Sequence, residues 1–140
     1  MNSEIFSQFN WLAVLVAAVA YFILGALWYS KILFANMWIK AHGIDMNDPN
    51  GRKGLGMMMF LSFIGFFVVC IGLEMLVVKL DLGGYMSGIK LGLATGVCFS
   101  WMALSITYLY TRKPVALHFI DGLYHVVGQI IAAIILCVWG

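Results

Sequence analysis

Four long apolar stretches, Trp11–Tyr29, Met57–Val78, Met86–Tyr110 and Ala116–Trp139, occupy most of a chain of 140 residues. A helix rises 1.5 Å per residue, so a hydrocarbon core about 30 Å thick takes roughly 20 apolar residues to cross. Each stretch meets that length, and together they leave no room for a separate water-soluble domain. Only 10% of the residues are charged, against about a quarter in an ordinary soluble domain. The solvent for most of the chain must be the lipid bilayer. The expected fold is all-α: an integral membrane bundle of four transmembrane helices, forming a single transmembrane domain over residues 1–140.

The first stretch competes with a cleaved signal peptide, since Ala18-Val19-Ala20 has the small residues of a cleavage site. The preceding residues carry Glu4 and no Lys or Arg, and the apolar run continues to Tyr29. A signal peptide has a basic start and a shorter apolar core, so we read this segment as a retained helix. Cys70, Cys98 and Cys137 all fall inside spans and show no metal spacing, which fits small apolar residues in helix packing. The formal charge of +2, with no basic run interleaved with aromatics, gives no footprint for nucleic acid.

Orientation follows the placement of cations, because cytoplasmic loops are enriched in them. Lys31, Lys40, Arg52, Lys53, Arg112 and Lys113 flank the first and third connections, while only Lys79 and Lys90 lie on the other side. Both termini are therefore expected outside the cytoplasm, in a bacterial cytoplasmic membrane. The segment Ile32–Lys40 mixes Leu33, Phe34, Met37 and Trp38 with Lys31, Asn36 and Lys40, a composition suited to a helix lying in the interface. Asp48-Pro49-Asn50-Gly51 is a turn signal, and Arg52-Lys53 anchors the start of the second span.

Span three carries Gly84, Gly88, Gly92 and Gly96 every fourth residue, and Ser100 extends the row. That spacing keeps small residues on one helix face, where another backbone can approach closely. The partner is either a helix of the same chain or one of a neighbouring copy, and we expect a homo-oligomer. Glu74 lies near the end of span two, and Lys90 sits at similar depth near the start of span three. Ionisable groups at such depth are normally paired or face a cavity, so a structural Glu74–Lys90 ion pair is expected. An ion-binding role for Glu74 is the alternative.

Span four carries His118, Asp121, His125 and Gln129. At 100° per residue these fall within an arc of about 80°. Gly122, Ala132 and Ala133 flank the arc, while Leu123, Val127, Ile130, Ile131 and Ile134 cover the other side. The helix is expected to turn small and polar groups inward and to face lipid with the rest. Polar groups in a span are costly and usually mark a pathway or site. Two imidazoles with a carboxylate between them suit a proton relay; a metal is weaker, since a third and fourth ligand are missing. The structural alternative is a hydrogen-bonded seam, with Asp121 bonded to Tyr or Trp groups of other helices. Trp28, Tyr29 and Ser30 lie at nearly the same level and are the candidate partners.

The blocks Asn10-Trp11-Leu12-Ala13, Tyr21, Gly25-Ala26-Leu27-Trp28-Tyr29-Ser30 and Phe119-Ile120-Asp121-Gly122-Leu123-Tyr124-His125-Val126-Val127-Gly128 resemble the DUF1761 family of bacterial membrane proteins. Lys31 departs from the proline expected there after Tyr-Ser. The resemblance implies a four-helix membrane fold and supplies no activity.

The leading functional expectation is a small transporter or channel-like protein for a proton, ion or small solute. His118, Asp121, His125, Gln129, Trp28 and Tyr29 would form the pathway or ligand site. The alternative is a non-transporting interaction or sensing module assembled through the glycine face of span three. No nucleophile elbow, HExxH or phosphate-cradling loop is present, so no catalytic residue, cofactor or metal is assigned and an enzyme ranks third.

Overall fold

The computed structural model describes residues 3–30, 35–42 and 55–139. A short 3-10 helix, Ser3–Gln8, precedes α1 (Trp11–Trp28). Then come α2 (Ala35–His42), α3 (Leu55–Lys79), α4 (Tyr85–Thr95), a π-helical turn over Gly96–Trp101, α5 (Met102–Tyr110) and α6 (Val115–Trp139). Four helical stretches, Trp11–Trp28, Gly56–Lys79, Tyr85–Tyr110 and Val115–Trp139, are long and apolar enough to cross a membrane. The third consists of α4, the π turn and α5 in series. Among the described residues there are no strands. Leu12, Ile23, Met57, Phe60, Phe99 and Leu109 are each more than half exposed on the outside of the bundle. In water such a surface would aggregate, and in lipid it is the ordinary exterior.

Local chemistry sets the helix ends. The Asn10 side chain accepts a hydrogen bond from the Ala13 amide at 3.1 Å and caps α1. Asp81 and Arg112 take positive φ, 51° and 56°. Beyond them the amides of Leu82 and Lys113 reach back to the carbonyls of Val77 and Tyr108, a left-handed helix stop. Pro114, which lacks an amide donor, then opens α6. A helix, α2, is present where an interfacial one was expected, and Trp38 on it meets the Tyr29 ring edge-on at 5.8 Å. Lys31, the turn Asp48–Gly51 and Arg52-Lys53 lie outside the described residues.

The bundle is organised around α6, which packs against all five other helices and the π turn. Half of its most apolar window is buried (50%), against 17–28% for the other three spans. The glycine row explains part of this. A Cβ at Gly88 would stand 2.5 Å from the Ile134 Cα, at Gly92 2.3 Å from the Ile130 Cα, and at Gly96 2.7 Å from the Val126 Cα. Three glycines of span three therefore lie directly on the backbone of α6, within the same chain. Gly84 does not belong to this seam: it is the N-cap residue of α4 at φ 82°, with open space around it.

This contact revises the face assigned to span four. Ile130 and Ile134 were placed toward lipid, and their backbone instead lies beneath Gly92 and Gly88. A helix at the centre of a small bundle has neighbours on nearly every side. The outward strip narrows to residues such as Phe119, Leu123, Val138 and Trp139.

On the opposite flank, α1 meets α6 through Tyr21 and Gly128. A Cβ at Gly128 would lie 2.6 Å from the Tyr21 ring. Tyr21 itself is fully buried, with its ring stacked on Phe66 of α3 at 4.5 Å.

Candidate functional site

The polar groups of α6 meet hydroxyl groups from the two helices on its flanks. At the level of the α1 C-terminus, the Tyr29 hydroxyl donates to Asp121 Oδ1 at 2.5 Å. From the other side the Tyr108 hydroxyl of α5 donates to Oδ2, also at 2.5 Å. Asp121 is 6% exposed and both its oxygens are acceptors, the bonding pattern of a carboxylate. The Trp28 indole donates to the Ile120 carbonyl at 2.9 Å, fixing α1 against α6 at this level. Tyr124 fills the angle between Tyr29 and His125, with ring centroids at 5.3 and 5.0 Å. Its hydroxyl donates to the Tyr21 carbonyl at 3.1 Å.

One turn deeper, the Tyr21 hydroxyl and His125 Nδ1 lie 2.6 Å apart, in a hydrogen bond whose donor depends on the imidazole tautomer. The Gln129 side chain lies beside the Tyr21 hydroxyl, and its amide donates to Ser100 Oγ at 2.5 Å. Thr95 lies buried in the same span and returns its hydroxyl to the Leu91 carbonyl at 3.1 Å. The result is a row of polar pairings along about two turns of α6: two tyrosines on Asp121, Tyr21 with His125, and Gln129 with Ser100.

The π turn helps to place the last member. A four-residue repeat drifts by about 40° per step on a 3.6-residue helix, so a regular helix would carry Ser100 away from α6. The wider π turn, bonded i to i+5, takes up that drift. It also sets Trp101 over Gly122, where a Cβ would lie 2.2 Å from the indole ring.

The sequence reading had singled out six residues for this site. Asp121 and Tyr29 are in direct contact, and Trp28 touches the backbone of α6 beside them. His125 pairs with Tyr21, and Gln129, one turn on, pairs with Ser100. His118 is half-buried, its ring 5.5 Å from that of Tyr108. Three partners had not been assigned: Tyr21, Tyr108 and Tyr124. A tyrosine inside a span was the available signal, because its hydroxyl needs a partner where there is no water. Removing the Tyr21 hydroxyl alone, in Tyr21→Phe, keeps the stack on Phe66. It is expected to lower stability by about 1 kcal/mol, read as a thermal shift in detergent.

The expected Glu74–Lys90 ion pair is not formed. Glu74 is 3% exposed, and its carboxyl faces the Asn10 main-chain amide and Cys137 of α6. Its Oε2 has no hydrogen-bond partner, and Lys90 is exposed. The reason is angular: Lys90 lies about 200° around the helix from Gly88, and Gly88 faces α6. Equal depth did not bring the two together. Lys90→Ala should therefore change stability by less than about 0.5 kcal/mol, where breaking a buried pair would cost about 3–5 kcal/mol. Thermal denaturation of the two proteins side by side separates these values.

The fold and its buried polar seam define a multi-pass helical membrane protein whose central helix carries the carboxylate and imidazole of that seam. The chain belongs to the DUF1761 family, described as a protein of unknown function, whose model matches residues 12–137. No curated protein and no solved structure matches it.

Proposed function

We propose that this protein moves a proton or small cation across the membrane along the inner face of α6. The observation that carries this reading is the row of exchangeable hydrogen bonds along α6: Tyr108 and Tyr29 on Asp121, Tyr21 with His125 one turn on, and Gln129 with Ser100 a turn beyond. Hydroxyl, imidazole and carboxylate groups pass protons along such chains, and intramembrane carboxylates and histidines are the usual members of relays. His118 stands at the entrance beside Tyr108.

The cation distribution in the sequence supports placing this entrance in the cytoplasm and both termini outside, in a bacterial cytoplasmic membrane. Gly88, Gly92 and Gly96 are covered by α6 of the same chain, so an assembly module built on that face would require α6 to leave. A homo-oligomer would use other surfaces, such as the lipid-facing side of α3.

A second reading has its own support. Both Asp121 oxygens are satisfied within the protein, as they would be in a seam that serves only to lock α1 and α5 to α6. The physical difference between the readings is water. Water-edited solid-state NMR of the protein in lipid should show fast polarisation transfer from water to His118, Asp121 and His125. Transfer no faster than to Ala132 and Ala133 would favour the structural seam and remove the basis for transport.

A further inference from the structure

Among the described residues, Glu74 is the buried carboxyl that the seam does not use. It lies toward the end of the bundle opposite to Asp121, five residues before the end of α3, or about 7.5 Å of helix rise. Nothing donates to its Oε2. The groups that face it are the Asn10 main-chain amide from the start of α1 and the Cys137 thiol of α6. Cys70 stands one turn away on α3 itself. The nearest cations in the sequence, Lys79 and Lys90, are exposed, as is Asp81 in the following turn.

We infer that Glu74 carries a proton and forms a second proton-binding site at the N-terminal end of the bundle, so that the species moved along α6 is the proton. This rests on the transport reading above and narrows it. An unpaired carboxylate buried away from water costs several kcal/mol, and among the described residues neither a lysine nor an arginine neutralises this one. A metal cation would need several oxygen ligands, and one carboxyl beside an amide and a thiol does not supply them. A proton needs none. Binding it converts one oxygen to a hydroxyl and removes the charge; no bond other than O–H forms or breaks, and the proton returns to water or to the seam on release.

The position suits this role. Cys70, one turn before Glu74, lies near Tyr21, whose hydroxyl pairs with His125. Glu74 is thus the next acid beyond the seam toward the N-terminal end. Between them lie Ala17, Ala18, Ala132 and Ala133, with Val14 and Leu136, all fully buried.

Infrared spectroscopy of the full chain in lipid vesicles, at neutral pH and without sodium, reads the protonation state directly. The carbonyl stretch of a protonated carboxyl should be present, be lost in Glu74→Gln, and persist when sodium is added. Isotopic labelling of glutamate gives the same assignment without a substitution, because the only other glutamate is Glu4. Absence of the band from the unsubstituted protein, a band indifferent to Glu74→Gln, or one bleached by sodium overturns the inference. The spectrum does not depend on flux, so a failure of the transport reading would show in a flux assay with this band still in place.

Discussion

Gly92→Leu should prevent the bundle from assembling. At this position even a methyl group would stand 2.3 Å from the Ile130 Cα and 2.6 Å from its nitrogen. These are backbone atoms of the central helix, which cannot turn aside as a side chain can. Ordinary overpacking of a core costs about 1–3 kcal/mol because neighbours adjust. Here the adjustment available is separation of α4 from α6, which would also strip the cover from Gly88 and Gly96. Gly92→Ala should already lose at least about 2 kcal/mol by the same argument, and Gly92→Leu should yield little folded protein. Gly84→Ala is a weaker case: its strain is a matter of φ 82°, since a Cβ there meets nothing. Recovery of monodisperse protein from mild detergent, followed by thermal unfolding, orders the three. Equal recovery of Gly92→Leu and unsubstituted protein would mean that the two helices do not meet as described.

The second large effect is on transport. Asp121→Asn should reduce proton flux to the level of empty vesicles while costing only about 1 kcal/mol of stability. Asparagine keeps one acceptor oxygen for one tyrosine. Its amide nitrogen donates to the other, whose hydroxyl can rotate to accept, so the clasp between α1, α5 and α6 persists. What is lost is the acid. An amide neither takes up nor releases a proton in the neutral range, so the proposed relay would be broken at its first carboxyl. A variant that melts like the unsubstituted protein yet still conducts at full rate would separate Asp121 from any pathway.

The four spans were legible because length and apolarity alone specify them; the ends found lie within two residues of those expected. The inward stripe of α6 was legible for the same kind of reason, since a 3.6-residue period places His118, Asp121, His125 and Gln129 on one side whatever surrounds them. Partners were harder. Tyr21 and His125 are 104 residues apart, and no local pattern links them. The glycine row announced a close backbone contact without saying whose backbone it was, and its answer, α6, also corrected the lipid face given to Ile130 and Ile134. The π turn left no mark in the hydropathy of span three, because replacing one bonding pattern by another changes no residue type. The misassigned Glu74–Lys90 pair is instructive in a different way. The angle between Lys90 and the glycine face follows from the helical period, and direction rather than depth decides whether two such groups meet.

The most direct test of the central claim is proton uptake into liposomes containing the unsubstituted protein, driven by an imposed membrane potential and read with an internal pH dye. Uptake should exceed that of protein-free liposomes and rise in proportion to the number of copies per vesicle. Uptake equal to that of protein-free liposomes, with the protein folded and correctly inserted, would contradict a proton route along α6 and leave the tyrosine–carboxylate seam as a structural clasp.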